Sequence, residues 1–259
     1  MSRVSDEFLK QISCLVMCDR DVKHGNVIYN NWLTWWVGIV VTRNKKGHRL
    51  STNPKINYEQ LLNAQPMKKM SRISVIMSNK DFSNGHKKRI KFLNAIMNSP
   101  ISKYIDIYGH GYKEIPDKWD AIALYKYHLV LENSAQRDYW SEKLADAFLG
   151  FSLPIYYGCP NIHDYFSKDS LCIIDIDNIN DSIDYINNIV VNNLYDDSVD
   201  EITTARNKIL NKYNIFNLMS ELAVGSANKF QNITLNTNAF FKDSWGKKIA
   251  RHLISLIRS

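Results

Sequence analysis

Within a dozen residues the chain places Glu132, Asn133, Tyr139, Glu142 and Lys143, two carboxylates, an amide, a phenol and an ammonium. Glu142 and Asn133 can exchange hydrogen bonds with the hydroxyls of a ribose or another sugar, and Tyr139 can stack or hydrogen-bond. Lys143 adds a mobile positive charge. It falls in the first turn of a helix starting near Ser141, where free backbone N–H groups and the positive dipole end suit a phosphate. Such a set could hold a sugar nucleotide. The same spacing also fits an ordinary helix with an N-terminal carboxylate and a solvated lysine, and spacing alone favours that simpler arrangement.

The elements that must position these groups run from Tyr125 to Gly158. Tyr127–Leu131 is a short aromatic and branched run suited to a buried strand, and it stops at Glu132-Asn133-Ser134. From Ser141 the period changes: Leu144, Ala147, Phe148 and Phe151 lie three or four apart, on one face of a helix. Pro154–Tyr157 is a second apolar run, closed by Gly158. A strand–helix–strand unit of this length places ligands beyond the carboxyl end of its strand, where the five residues gather.

Upstream, Ile73–Met77 reads as a strand ending in Ser78-Asn79-Lys80. Gly85 to Arg89 opens a helix with apolar Ile90, Leu93, Ile96 and Met97. Ile105–Tyr108 is the next strand, ended by Gly109-His110-Gly111, and Asp117–Leu124 a short helix. The alternation predicts a parallel, doubly wound sheet. Downstream, Leu171–Ile174 is a further strand, Asp175–Glu201 an amphipathic helix with an acidic outer face, and 201–230 continues as helix.

Before residue 67 the chain is less legible. Phe8, Leu9, Ile12 and Leu15 have helical spacing, Trp32, Trp35 and Trp36 lead a buried element reaching Val41, Arg43–Arg49 is a basic loop, and Asn53-Pro54 marks a turn. In the tail, Trp245, Ile249, Leu253, Leu256 and Ile257 share one helical face, with Lys247, Lys248, Arg251 and Arg258 largely on the other. Residues 240–259 therefore suit an anionic membrane surface, or packing of the apolar face onto the sheet domain.

The stretch around the five polar residues resembles the donor-binding signature of the α1,3-fucosyltransferases, glycosyltransferase family 10. Tyr125-Lys126-Tyr127, Glu132-Asn133-Ser134, Asp138-Tyr139, Ser141-Glu142-Lys143 and Pro154-Ile155-Tyr156-Tyr157-Gly158 fall in the family's order. Ser78-Asn79 and Arg89 match its lead-in. The resemblance implies an α/β, GT-B-like fold with a Rossmann-like donor domain at 67–230, a truncated N-terminal acceptor domain at 1–66 and a basic amphipathic tail at 231–259. It implies an inverting enzyme moving fucose or a related sugar from GDP-fucose to a hydroxyl of a surface-glycan acceptor such as bacterial lipopolysaccharide O-antigen. It gives Arg89 the donor pyrophosphate, a role for which a bidentate guanidinium is suited. Asn133, Tyr139, Glu142 and Lys143 complete the donor set, and no obligatory metal is implied. The family's catalytic base is a glutamate in a G-E-N-like motif of the N-terminal domain. No such motif is visible, and Glu7, Asp19 and Asp21 are among the few acids before Glu59. Two other readings therefore stand beside the enzyme: a nucleotide-sugar-binding remnant without independent catalysis, and a membrane-associated adaptor on a Rossmann scaffold.

The 259 residues, 45% hydrophobic and 23% charged, suit a folded chain of one large or two small domains. A net charge of +7 favours anionic partners such as nucleotide phosphates or acidic lipids and is too small to imply nucleic acid. Cys14, Cys18, Cys159 and Cys172 are too few for a disulfide framework, and Cys14, Cys18 and His24 lack a fourth ligand at zinc-site spacing. Reduced cysteines, no signal peptide and an apolar run, Trp32–Val41, too short to span a bilayer lead to the expectation of a cytoplasmic protein, peripheral at the inner membrane.

Overall fold

Apolar runs between polar loops become the five parallel strands of one sheet. A computed structural model describes residues 9–29, 34–44, 47–50, 55–79, 81 and 83–225. Glu7, Phe8, Trp32, the Asn53-Pro54 turn and the tail, with its basic face at 240–259, lie outside the described residues. The chain divides into two compact units, 31–222 and 1–30 with 223–259. The first takes in residues that the sequence reading assigned to a 1–66 acceptor remnant.

In unit 31–222 a hairpin, β3 (Val41–Asn44) and β4 (Gly47–Leu50), stands where a basic loop was expected. Helix α1 (Tyr58–Asn63) follows, begun by a capping box between Asn57 and Gln60. The alternation is then β5 (Met70–Ile76), α2 (Asn84–Met97), β6 (Ile105–Tyr108), α3 (Trp119–Ile122), β7 (Tyr125–Leu131), α4 (Glu142–Leu149), β8 (Leu153–Tyr157) and β9 (Cys172–Ile173). Helices α5 (Ile179–Val191), α6 (Leu194–Asn211) and α7 (Ile215–Gly225) close it, α7 running on into the second unit.

The sheet order is β6-β5-β7-β8-β9, every pairing parallel. Helix α2 packs against α5, while α4 packs against α3 and α6, giving the two helical layers of a doubly wound sheet. With both faces covered, β7 is buried at every position but Lys126. The order reverses between β5 and β7. The crevice beyond their carboxyl ends is where such sheets bind ligands.

Two helix expectations need correction. Asp175–Glu201 is not one helix, because Asn193 takes a left-handed φ of 52° between α5 and α6. Asparagine tolerates that conformation, and Lys126 secures it, donating to Asn193 Oδ1 and Asp196 Oδ1 at 2.8 and 2.7 Å. The 201–230 segment breaks again between Asn211 and Ile215. In unit 1–30, Leu15 lies not on a helix but in β1 (Leu15–Met17), paired in parallel with β2 (Val27–Tyr29). That pairing outweighs the local apolar spacing. Among the described residues no helix is long and apolar enough to cross a membrane.

Lys69 closes the sheet's amino end. Its Nζ donates to Tyr125 O at 3.1 Å, Gly150 O at 2.7 Å and Ala123 O at 2.5 Å, and burial lowers its pKa to about 7. Lys69→Met takes a donor from three carbonyls, of which Tyr125 O keeps its bond from Ser152 Oγ at 2.7 Å, and should cost about 1–3 kcal/mol. In the wild type the unfolded state holds the extra proton between pH 7 and 10.5, so stability should rise with pH across that window. Thermal unfolding across pH checks both effects. A variant as stable as the wild type, with the same pH profile, would show that Lys69 closes nothing.

Candidate functional site

Backbone pairing carries β7 one residue past its end, as Glu132 N–H donates to Tyr157 O at 2.9 Å. The Glu132 side chain is thereby fully buried at the switch point. A buried carboxylate needs donors, and the loop to α4 supplies them. Ser141 N–H donates to Glu132 Oε1 at 2.8 Å, and Ser141 Oγ lies 2.8 and 2.7 Å from the two carboxylate oxygens. Lys143 Nζ reaches Glu132 Oε2 at 3.2 Å and Glu142 Oε1 at 3.3 Å. Ser141 is also the N-cap of α4.

Lys143 is therefore not the mobile charge the sequence suggested. Burial pushes its ammonium down, but Glu132 and then Glu142 more than offset this and hold it above the usual lysine range. Burial likewise pushes Glu142 up, and Lys143 and Lys118 pull it below the usual carboxylate range. Both side chains keep a face to solvent, 22% exposed for Lys143 and 29% for Glu142. A charged pair thus sits at a helix N-terminus, half sunk and still reachable.

The loop between β7 and α4 is held by a second polar group. Asp138 takes a left-handed φ of 61°. Its N–H donates to Asn161 Oδ1 at 2.8 Å, and its Oδ1 accepts from Asn161 Nδ2 and the Tyr165 hydroxyl at 2.8 and 2.9 Å. Next to Tyr139, Trp140 is fully buried edge-on to Phe166 and Tyr213. Tyr139 is so fixed half-buried, near enough to influence the charge of both Arg89 and Lys143. Asn133 is exposed at the loop's start.

Arg89 is no surface residue of a first turn. It lies in the second turn of α2, buried, with Nη1 donating to Leu131 O at 3.2 Å. Burial lowers its pKa, and Glu132 opposes the shift. Lys88, its side chain 51% exposed, bonds Asp177 Oδ2 at 2.7 Å. Of the five residues that the family resemblance assigned to the donor, Arg89 meets the end of β7 through Leu131 O, Asn133 and Tyr139 lie on the loop that follows β7, and Glu142 and Lys143 open α4.

Several partners were missed as side chains in their own right. Ser141 sits in the motif but was not assigned to the site, and Glu132, grouped with the polar set in the sequence, was given no donor-binding role. Asp146, one helical turn behind Glu142 and Lys143, accepts from Trp36 N–H and Val37 N–H at 2.7 and 3.0 Å and from Lys118 Nζ at 2.6 Å. Its partners lie far away in sequence, and no local signal marks them. Elsewhere, both ring nitrogens of His24 face carbonyls, of Asn26 and Ile12, at 2.8 Å. Among the described residues no group of three or more His, Cys, Asp or Glu could hold a metal ion.

The α-(1,3)-fucosyltransferase FucT of Helicobacter pylori is 34% identical over 77 residues, which are 29% of this chain and 16% of that protein. α-(1,3)-Fucosyltransferase B of Drosophila melanogaster is 30% identical over 108 residues, 40% of this chain and 24% of that one. The chain thus spans under a quarter of these relatives. A variant of S. aureus TarM, solved in complex with Fondaparinux, α-GlcNAc-glycerol and UDP, superposes with a TM-score of 0.52 at 14% identity, covering 84% of this chain and 44% of that one. That is a likeness of fold. The sequence model of the C-terminal part of glycosyltransferase family 10 (fucosyltransferase) matches residues 66–195, half of the chain, taking in the sheet and every residue around the crevice. With motif order, sheet topology and this match in agreement, the chain belongs to glycosyltransferase family 10, the fucosyltransferases.

Proposed function

We propose that the switch-point crevice binds GDP-fucose and that the chain serves an inverting transfer of fucose to a glycan hydroxyl. The observation that carries this reading is Lys143, held at the N-terminus of α4 by Glu132 and Ser141 with Arg89 nearby on α2. Inverting transfer displaces GDP from the anomeric carbon in one step. Negative charge grows on the departing phosphate as that bond breaks, and cations fixed beforehand stabilise it without reorganising. Lys143, Arg89 and the free N–H groups of α4 supply this. Glu142 and Asn133 are placed to accept from or donate to ribose and sugar hydroxyls, and Tyr139 to pack against a ring. The acceptor proton must pass to a base, which we do not assign to any described residue.

Calorimetric titration with GDP, with UDP as the control, tests the donor half. Saturable binding of GDP, weaker for UDP, is expected. Equal binding of both would remove the guanine preference, and no binding would withdraw the assignment. GDP release from GDP-fucose in the presence of an N-acetylglucosamine-containing acceptor then tests turnover. Binding without release would make this chain a donor-binding module that depends on another base.

A further inference from the structure

We propose that Lys118 is a further diphosphate-binding cation of the crevice, an inference that rests on the donor reading above. Lys118 opens α3 and lies outside every motif that marks the site. Its side chain is 25% exposed, and its Nζ lies 2.6 Å from Asp146 Oδ2. Lys118 and Lys143 line one small cavity of about 10 Å³, room for about one water, whose walls include Ile76 and Leu131, the last residues of β5 and β7. This cavity lies at the carboxyl ends of β5 and β7, beneath the switch point. Its two ammonium groups approach from different helices, α3 and α4. The charge of Lys118 is felt at Glu142, on the donor side of α4.

Asp146 does not need Lys118 for all of its hydrogen bonding, since its Oδ1 already takes the N–H groups of Trp36 and Val37. An ammonium carries three N–H donors on a flexible stem. One of them can stay on Asp146 while another turns to a phosphate oxygen. Asp146 then positions the cation, and Lys118 touches the ligand. The competing account makes the pair a brace between α3 and α4 that no ligand meets.

The test compares wild type, Asp146→Asn and the double variant Lys118→Met with Asp146→Asn, each titrated with GDP and with guanosine. Neither variant leaves a buried carboxylate without its cation, and the amide that replaces the carboxylate would still offer an oxygen to the N–H groups of Trp36 and Val37, so both should fold. Asp146→Asn should bind GDP at least as well as wild type, because it releases Lys118 from its counter-charge. The double variant should bind GDP roughly tenfold more weakly than Asp146→Asn, the loss of one charge-assisted hydrogen bond. Guanosine affinity should be equal in all three, and the salt dependence of GDP binding shallower in the double variant. Equal GDP affinity in the two variants would overturn the proposal. So would a parallel fall for GDP and guanosine, which marks a brace. Wild type failing to bind GDP at all would instead refute the donor reading, and the proposal with it.

Discussion

Lys143→Ala should weaken GDP binding by roughly 100-fold, the upper range for one charge-assisted contact, and should also lower the melting temperature. The second effect follows from where the ammonium sits. It is one of the partners of Glu132, which is fully buried, and removing it leaves that carboxylate with Ser141 alone. The stability loss should be about 1–3 kcal/mol, below that of a fully buried pair because Ser141 keeps its bonds. Adding Glu132→Gln to Lys143→Ala should restore most of the stability and none of the GDP affinity. Calorimetry beside thermal unfolding reads the two effects separately. GDP affinity that recovers along with stability would mean that Lys143 serves Glu132 and never meets the ligand.

The same pair sets a pH window. Lys143 has a raised folded pKa, so its contribution is complete below its ordinary value of 10.5 and is lost as pH rises through the folded value. Glu142 has a lowered one, so its contribution is complete above 4.5 and is lost as pH falls through the folded value. Between these limits GDP binding should follow only the titration of the ligand's own phosphate.

Much of this arrangement was legible in the sequence for a definite reason. Period changes mark a strand and a helix, and the two-layer rule then gives a parallel sheet, so the fold that carries the switch point could be read from the sequence. What stayed hidden depends on contacts distant in sequence. Nothing near Asp146 shows that it will bind the backbone of Trp36 and Val37, more than a hundred residues away. Nor does local pattern show that Lys126, inside the Tyr125-Lys126-Tyr127 motif, clasps Asn193 and Asp196. Trp35 and Trp36 read as core aromatics. The structure divides them, Trp35 stacking on Tyr58 while Trp36 is 38% exposed. The family resemblance gave Glu142 and Lys143 to the donor. Only tertiary packing shows the buried carboxylate that holds the lysine still.

Gly85→Ala should destabilise the donor unit and weaken GDP binding at least tenfold, although helix propensity alone argues the opposite. Gly85 is the second residue of α2, where alanine is worth about 1 kcal/mol more than glycine in a solvated helix interior. A Cβ at this position would lie 1.9 Å from Asn133 O and 3.0 Å from its carbonyl carbon. Neither atom is the end of a flexible side chain. The start of α2 and the end of β7 must separate by about an ångström, and overpacking of this kind costs about 1–3 kcal/mol. The separation also falls where the site is assembled. Arg89 lies one turn along α2 and bonds Leu131 O, while the displaced Asn133 carbonyl directly follows Glu132. Moving that junction shifts Arg89 away from Lys143 and loosens the loop that carries Tyr139, so affinity should fall by more than the stability loss alone explains. Gly25→Ala, with nothing within 4 Å of the added carbon, is the neutral control. A Gly85→Ala protein that melts at or above the wild-type temperature and binds GDP normally would mean that α2 and the β7–α4 loop do not touch at Gly85. The crevice would then be wider than the contact between Gly85 and Asn133 allows, and Arg89 and Lys143 too far apart to share one diphosphate.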